Sequence, residues 1–177
     1  MPGKISSGKS SMTALISLET SQTSACVTAW LRKHTLYLGF IGLYVVELQS
    51  MLAHRGYYFG PLDGVFDTEI EYAVQGYQQK VFLRATGIVD QKTWEALLSG
   101  TPVNMPILRP GSFGEAVRKV QEVLWISDYY SAKIDGIFAS LTLEAVQRFQ
   151  LDKGLLGNGV VSEHTWNALS EMPRYVY

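Results

Sequence analysis

The strongest constraint on this chain is that it contains itself twice. Displaced by 72 residues, Leu36–Leu98 lies on Leu108–Ser170 without a gap, with roughly 22 of about 63 positions identical against roughly one in twenty expected by chance. The matches include Gly39/Gly111, Gly42/Gly114, Gln49/Gln121, Tyr57-Tyr58/Tyr129-Tyr130 and Asp63-Gly64/Asp135-Gly136. They continue through Phe66/Phe138, Gln78/Gln150, Gly87/Gly159 and Thr93-Trp94/Thr165-Trp166. The chain therefore divides into a Ser/Thr-rich tail (1–35), a first repeat (36–98), a linker (99–107), a second repeat (108–170) and a short end (171–177). Gly100, Pro102 and Pro106 mark the linker. A unit of about 63 residues has a core near the lower size limit, so most matched apolar positions are needed for packing.

Within each repeat the apolar spacing predicts three helices. Val45, Leu48, Met51 and Leu52, matched by Val117, Val120, Val123 and Leu124, form one helical stripe. Gly42 or Gly114 marks the turn into it. Ile70, Ala73, Val74 and Tyr77, matched by Thr142, Ala145, Val146 and Phe149, form a second stripe after the Asp-Gly turn. A short third helix begins at the N-cap candidates Asp90 and Ser162, with Trp94 and Leu97, or Trp166 and Leu169, facing inward. Strand-type alternation is weak throughout. The expected fold class is all-α, two tandem three-helix bundles.

Charge and composition narrow the function. Fifteen basic against sixteen acidic side chains give a formal charge of −1, which lacks the concentrated positive field that phosphate backbones require. No nucleic-acid partner is expected. A single cysteine, Cys26, can form neither an intrachain disulfide nor a thiolate metal cluster. The three histidines, His34, His54 and His164, occur singly and are not repeated at the 72-residue shift. No metal, cofactor or catalytic constellation is expected, and the chain reads as a non-enzyme.

The motifs themselves carry a resemblance. In the second repeat these are Ile134-Asp135-Gly136-Ile137-Phe138, then Thr142-x-x-Ala145-Val146-x-x-Phe149-Gln150, then Gly159-x-Val161-x-x-x-Thr165-Trp166-x-Ala168-Leu169. The first repeat has Asp63-Gly64-Val65-Phe66, Ala73-Val74-x-x-Tyr77-Gln78 and Thr93-Trp94-x-Ala96-Leu97. Both resemble the peptidoglycan-binding domain often called type 1, over residues 36–170. The resemblance implies a three-helix bundle that attaches wall hydrolases, or non-catalytic proteins, to bacterial peptidoglycan. There are departures. Asp67 and Ala139 stand where that family usually has glycine, Ile70 replaces the usual threonine, and Phe82 stands where the second repeat keeps Gly154. The first repeat is the less typical of the two.

Given that resemblance, the tyrosine pairs Tyr57-Tyr58 and Tyr129-Tyr130 are the leading ligand contacts, since a tyrosine offers a flat apolar face and a hydroxyl together. Two adjacent residues at a helix end usually face opposite ways, so one of each pair is expected in the core and the other exposed. Asp63 and Asp135 either accept backbone N–H groups in their own turns or form the rim of a ligand groove. Gln78 and Gln150 either cap a helix end or hydrogen-bond ligand. Arg148, like Arg55 and Lys133, is either solvated surface charge or a partner for stem-peptide carboxylates.

Two further signals are set aside. Gly3-Lys4-Ile5-Ser6-Ser7-Gly8-Lys9-Ser10 matches the phosphate-loop pattern, but that loop works only between a buried strand and a helix. Only Met1-Pro2 precede it, and the repeats leave no sheet to carry a nucleotide. Arg32-Lys33-His34 followed by the apolar run Leu36–Val46 has the order of an export signal. That run nevertheless aligns with the opening of the second repeat, is too short to span a bilayer, and is followed by Glu47 with no small-residue cleavage site. It is read as domain structure. The expected location is the periplasm or cell wall, with no typical signal peptide and no transmembrane segment. The expected function is non-catalytic binding of peptidoglycan, glycan or stem peptide, by two sites that gain avidity on a polymer and target or assist a wall hydrolase. A protein–protein interaction module without wall binding is the alternative, and a wall hydrolase in its own right the least favoured one.

Overall fold

The computed structural model describes residues 33–173. The first repeat contains α1 (Leu43–His54), α2 (Thr68–Lys80) and α3 (Gln91–Ser99). The second contains α4 (Glu115–Ile126), α5 (Ser140–Asp152) and α6 (Glu163–Ser170). Among the described residues β-structure amounts to isolated antiparallel bridges, so the chain is all-α with the helices in tandem sets of three.

Each helix start has a local cause. Glycine at the N-cap of α1 and α4 supplies no side chain, and its own N–H is satisfied across the repeat instead: Gly42 donates to the Gly64 carbonyl and Gly114 to that of Gly136, both at 2.9 Å. At α2 the Asp67 carboxylate accepts the Ile70 N–H at 3.0 Å, so this departure from the family pattern is an ordinary N-cap. Ala139 has no such group, and α5 starts without a side-chain cap. Asp90 caps α3 by accepting both the N–H and the hydroxyl of Thr93, at 2.9 and 2.8 Å. Ser162 occupies the matching position before α6 but makes no cap bond. Its expected role as a side-chain cap is therefore not realised.

The bridges tie loops to the segment ahead of each first helix. Leu36 pairs with Val89 and Ile41 with Val65; Leu108 with Val161 and Phe113 with Ile137 repeat the arrangement. Buried Leu36, its bridge and the start of α1 thus build the apolar run 36–46 into the first repeat. Gly3–Ser10 and Cys26 lie outside the described residues.

Each repeat has its own apolar cluster. Leu48, Phe66, Val74, Tyr77 and Trp94 anchor the first, and Val120, Phe138, Val146, Phe149 and Trp166 the second. Phe82 crosses between them. It follows α2 in the first repeat, yet its side chain is 5% exposed within the cluster of the second, where its ring meets Trp166 edge-on at a centroid distance of 4.8 Å. Its backbone is left-handed, φ 61°, a conformation that costs a bulky residue about 1–2 kcal/mol. Lys119 of α4 donates to the Phe82 carbonyl at 2.8 Å, and Lys80 pairs with Glu171 at 3.0 Å. The linker also packs: Val103 lies against the first cluster and Met105 against the second, while Pro106 accepts the Trp166 indole N–H at 2.8 Å.

Candidate functional site

The loops ahead of the second and third helices are held from inside by glutamine. Gln49 on α1 donates to the Asp63 carboxylate at 2.8 Å and to the Val65 carbonyl at 3.3 Å, while its own carbonyl accepts the Gly64 N–H at 2.9 Å. Gln121 on α4 does the same with Asp135, Ile137 and Gly136, at 2.9, 3.1 and 2.8 Å. Gln78 on α2 donates to the Ile88 carbonyl and the Thr93 hydroxyl, at 2.8 and 3.0 Å, and accepts from Gly87 at 3.0 Å. Gln150 on α5 repeats this with Val160, Thr165 and Gly159, at 2.9, 3.0 and 2.8 Å. All four amides are buried. A buried amide that meets its full hydrogen-bond complement fixes loop geometry, because leaving either end unpaired is costly.

Gly64 and Gly136 make the clamp possible. Both have φ 76°, and a Cβ at either would stand 3.2 Å from the carbonyl oxygen of Gly42 or Gly114. Only glycine fits that approach without strain.

The sequence-derived candidates separate by depth. Gln78 and Gln150 point inward with their polar atoms engaged by the fold. Tyr58 and Tyr130 are also buried, their hydroxyls donating to the carbonyls of Pro61 and Lys133 at 2.8 and 2.9 Å. Burial, then the nearby Asp63 charge, pushes the Tyr58 phenol up from its usual pKa. Asp63 and Asp135 are at the surface, in turns where each accepts the N–H two residues on, at 3.0 and 2.9 Å. The Val65 N–H first and then Gln49 hold the Asp63 carboxyl below the usual range; for Asp135 the leading cause is Gln121, then the Ile137 N–H.

Tyr57 and Tyr129 are the half-buried members of the pairs. Each ring stands edge-on against an aromatic of the following helix, Tyr57 on Tyr77 at 5.5 Å and Tyr129 on Phe149 at 5.2 Å. Burial raises the Tyr129 phenol, and the facing Asp152 carboxylate raises it further. Tyr77, buried with its hydroxyl on the Ala96 carbonyl at 2.6 Å, is pushed up to about 12.

A groove opens beside each of these tyrosines. In the second repeat it measures about 350 Å³ and is lined by Tyr129, Tyr130, Leu141, Glu144 and Arg148. Arg148 lies over the Tyr129 ring at 5.5 Å and donates to the carbonyls of Asp128 and Tyr129, at 2.9 and 2.6 Å. In the first repeat Gly76 replaces Arg148, and the groove of about 230 Å³ is closed by Lys80, Ser170, Glu171 and Met172 beside Tyr57. Arg55 is not among the residues lining this groove; it lies over Tyr77 at 5.6 Å and donates to the Leu97 carbonyl. Among the described residues no three His, Cys, Asp or Glu side chains are grouped to hold a metal ion.

Sequence reasoning passed over Gln49 and Gln121 as site-shaping residues. The signal was present. Asp63-Gly64-Val65-Phe66 and Thr86-Gly87-Ile88-Val89, with Asp135-Gly136-Ile137-Phe138 and Asn158-Gly159-Val160-Val161, are four versions of one element, each clamped by a glutamine from the preceding helix.

The family model described as a putative peptidoglycan binding domain matches residues 42–97 and 113–169, more than half of the chain, and each segment runs from the start of a three-helix set into its last helix. The chain belongs to this family. A probable N-acetylmuramoyl-L-alanine amidase of Bacillus licheniformis is 30% identical over 171 residues, covering 82% of this chain and 46% of that protein. A spore cortex-lytic enzyme of Bacillus cereus is 34% identical over 74 residues, covering 42% of this chain and 29% of the enzyme. The chain thus spans less than half the length of these relatives. Among solved structures, the SleB N-terminal domain is 33% identical, with a TM-score of 0.38 over 39% of this chain and 94% of that one.

Proposed function

We propose that this protein binds bacterial cell-wall peptidoglycan outside the cytoplasm, in the periplasm or cell wall, and does not itself cut it. The observation that carries this reading is that the peptidoglycan-binding family segment occurs twice, each time with a groove beside the same half-buried tyrosine. Tyr57 and Tyr129 supply the aromatic wall and Arg148 a cation, while Asp63 and Asp135 are not among the groove-lining residues and order their own turns. Tyr130 also lines the second groove, while Tyr58, Gln78 and Gln150 hold the fold from within. The relatives named as an amidase and a cortex-lytic enzyme support a role beside a wall hydrolase, as a partner or as an attached domain.

Sedimentation with purified insoluble peptidoglycan tests the binding. The protein is expected in the pellet above a buffer control, and Tyr57→Ala with Tyr129→Ala is expected to return it to the supernatant while the fold persists. Failure of the unmodified chain to sediment rejects the reading in favour of a protein-interaction module. A cleared zone in a peptidoglycan zymogram would reject the non-catalytic part alone.

A further inference from the structure

We propose that the second-repeat groove reads the stem peptide of the wall polymer, seating a residue that carries both a free carboxylate and a free ammonium, and that Arg148 and Glu144 determine this preference. The inference rests on the wall-binding reading above and specifies the ligand of one of its two grooves.

Glu144 and Arg148 stand four residues apart on α5, about 6 Å along the helix axis, and both line the groove. Both side chains are exposed, and neither forms an ion pair among the described residues. Arg148 is nevertheless held in place. One terminal nitrogen is fixed on the Asp128 and Tyr129 carbonyls and the guanidinium lies over the Tyr129 ring, leaving its other N–H groups without a partner among the described residues. A cation immobilised before the ligand arrives loses little side-chain freedom on binding, and its planar fork suits a carboxylate.

The sugar backbone of peptidoglycan offers hydroxyls and acetamides, which match neither charge. Its stem peptides do: a diamino acid whose distal amine and carboxylate are free presents the complementary pair on one side chain. The aromatic face of Tyr129 and the exposed Leu141 then cover its methylenes. The first repeat lacks the pair, with Gly76 and Tyr72 at these two positions, and the two charges that line its groove, Lys80 and Glu171, are paired with each other. Charge recognition is therefore a property of one groove, not of the shared fold.

The test compares the full chain on two insoluble polymers, intact peptidoglycan containing diaminopimelate and the same glycan stripped of its stem peptides by an amidase. On intact polymer Arg148→Gln and Glu144→Gln are each expected to weaken retention about tenfold. Glu144→Gln is the safer variant for folding, since Glu144 makes no ion pair among the described residues. Stripping, which removes the partner of both charges at once, should weaken the unmodified chain at least as much, and Glu144→Gln should then bind the stripped glycan as the unmodified chain does. Equal retention of the unmodified chain on both polymers overturns the inference but leaves wall binding standing. So does unchanged retention of both folded variants on intact polymer. No retention on either polymer removes the wall-binding reading as well.

Discussion

The two repeats share four glutamine clamps and a pair of tryptophan-anchored cores, yet they differ where they touch each other and where they face solvent. At the position that Gly154 fills in the second repeat with φ 69°, the first places Phe82 with nearly the same backbone, φ 61°. Glycine accepts that conformation freely; phenylalanine is held in it because its ring is buried against Trp166. At the groove the substitution runs the other way, with Arg148 facing solvent in the second repeat and Gly76 packed against Tyr57 in the first. A third difference lies beneath the turn. Thr142 accepts from Gln121 at 3.0 Å and donates to the Ile137 carbonyl at 3.3 Å, whereas Ile70 fills the same place with methyl groups alone. The duplicated backbone is thus kept by glycines and buried amides, while the positions outside that frame have diverged, one side towards joining the repeats and the other towards a charged groove.

The largest expected effect breaks the join. Phe82→Gly restores the residue of the second repeat, relieves the left-handed strain and removes a buried ring, for a net loss of about 2–3 kcal/mol. Urea unfolding should then resolve into two transitions; a single one with an unchanged midpoint would show that Phe82 does not couple the repeats. Next come the clamps. Gln121→Leu strands the Gly136 N–H and takes a donor from Asp135 and Thr142, costing about 2 kcal/mol, while Gln49→Leu, with no hydroxyl partner at Ile70, costs about 1 kcal/mol. Equal losses would mean that the threonine contact contributes nothing.

Smaller effects sharpen the comparison at the helix starts. Ser162→Asp should give α6 the cap that Asp90 gives α3, adding about 0.5–1 kcal/mol in thermal unfolding. The smallest is a matter of pH. Asp63 and Asp135 have folded pKa values below their unfolded ones, so the unfolded chain binds more protons under acid conditions. Their contribution is present above about pH 4 and is lost as the pH falls through the folded pKa. Asp63→Asn with Asp135→Asn keeps an acceptor oxygen in each turn and should make the acid limb of the stability profile shallower.

Much of this was legible in the sequence. Buried Leu48, Val74 and Trp94, and their partners Val120, Val146 and Trp166, sit on the stripes that helical spacing marks. The site was less legible. Tyr57 and Tyr58 are adjacent at a helix end, where no periodicity says which one turns inward, and the choice follows from the reach of the Tyr58 hydroxyl to the Pro61 carbonyl. In the sequence Gln78 and Gln150 fit a helix cap or a ligand contact, because a polar side chain at a helix end carries no mark of burial. The loops they clamp lie eight or more residues on, and only the folded chain brings them into hydrogen-bond reach.

By itself the sequence determined a duplicated all-α unit and its core positions, because those follow from identities at a fixed shift and from helical period, and its motifs carried the family resemblance. Tertiary structure decided which tyrosine of each pair is left half-exposed, that the glutamines serve the fold from within, and that Phe82 belongs to the core of the other repeat. These depend on contacts between residues remote in the chain, where packing space and the need to satisfy every buried polar atom choose among partners that local pattern leaves equivalent.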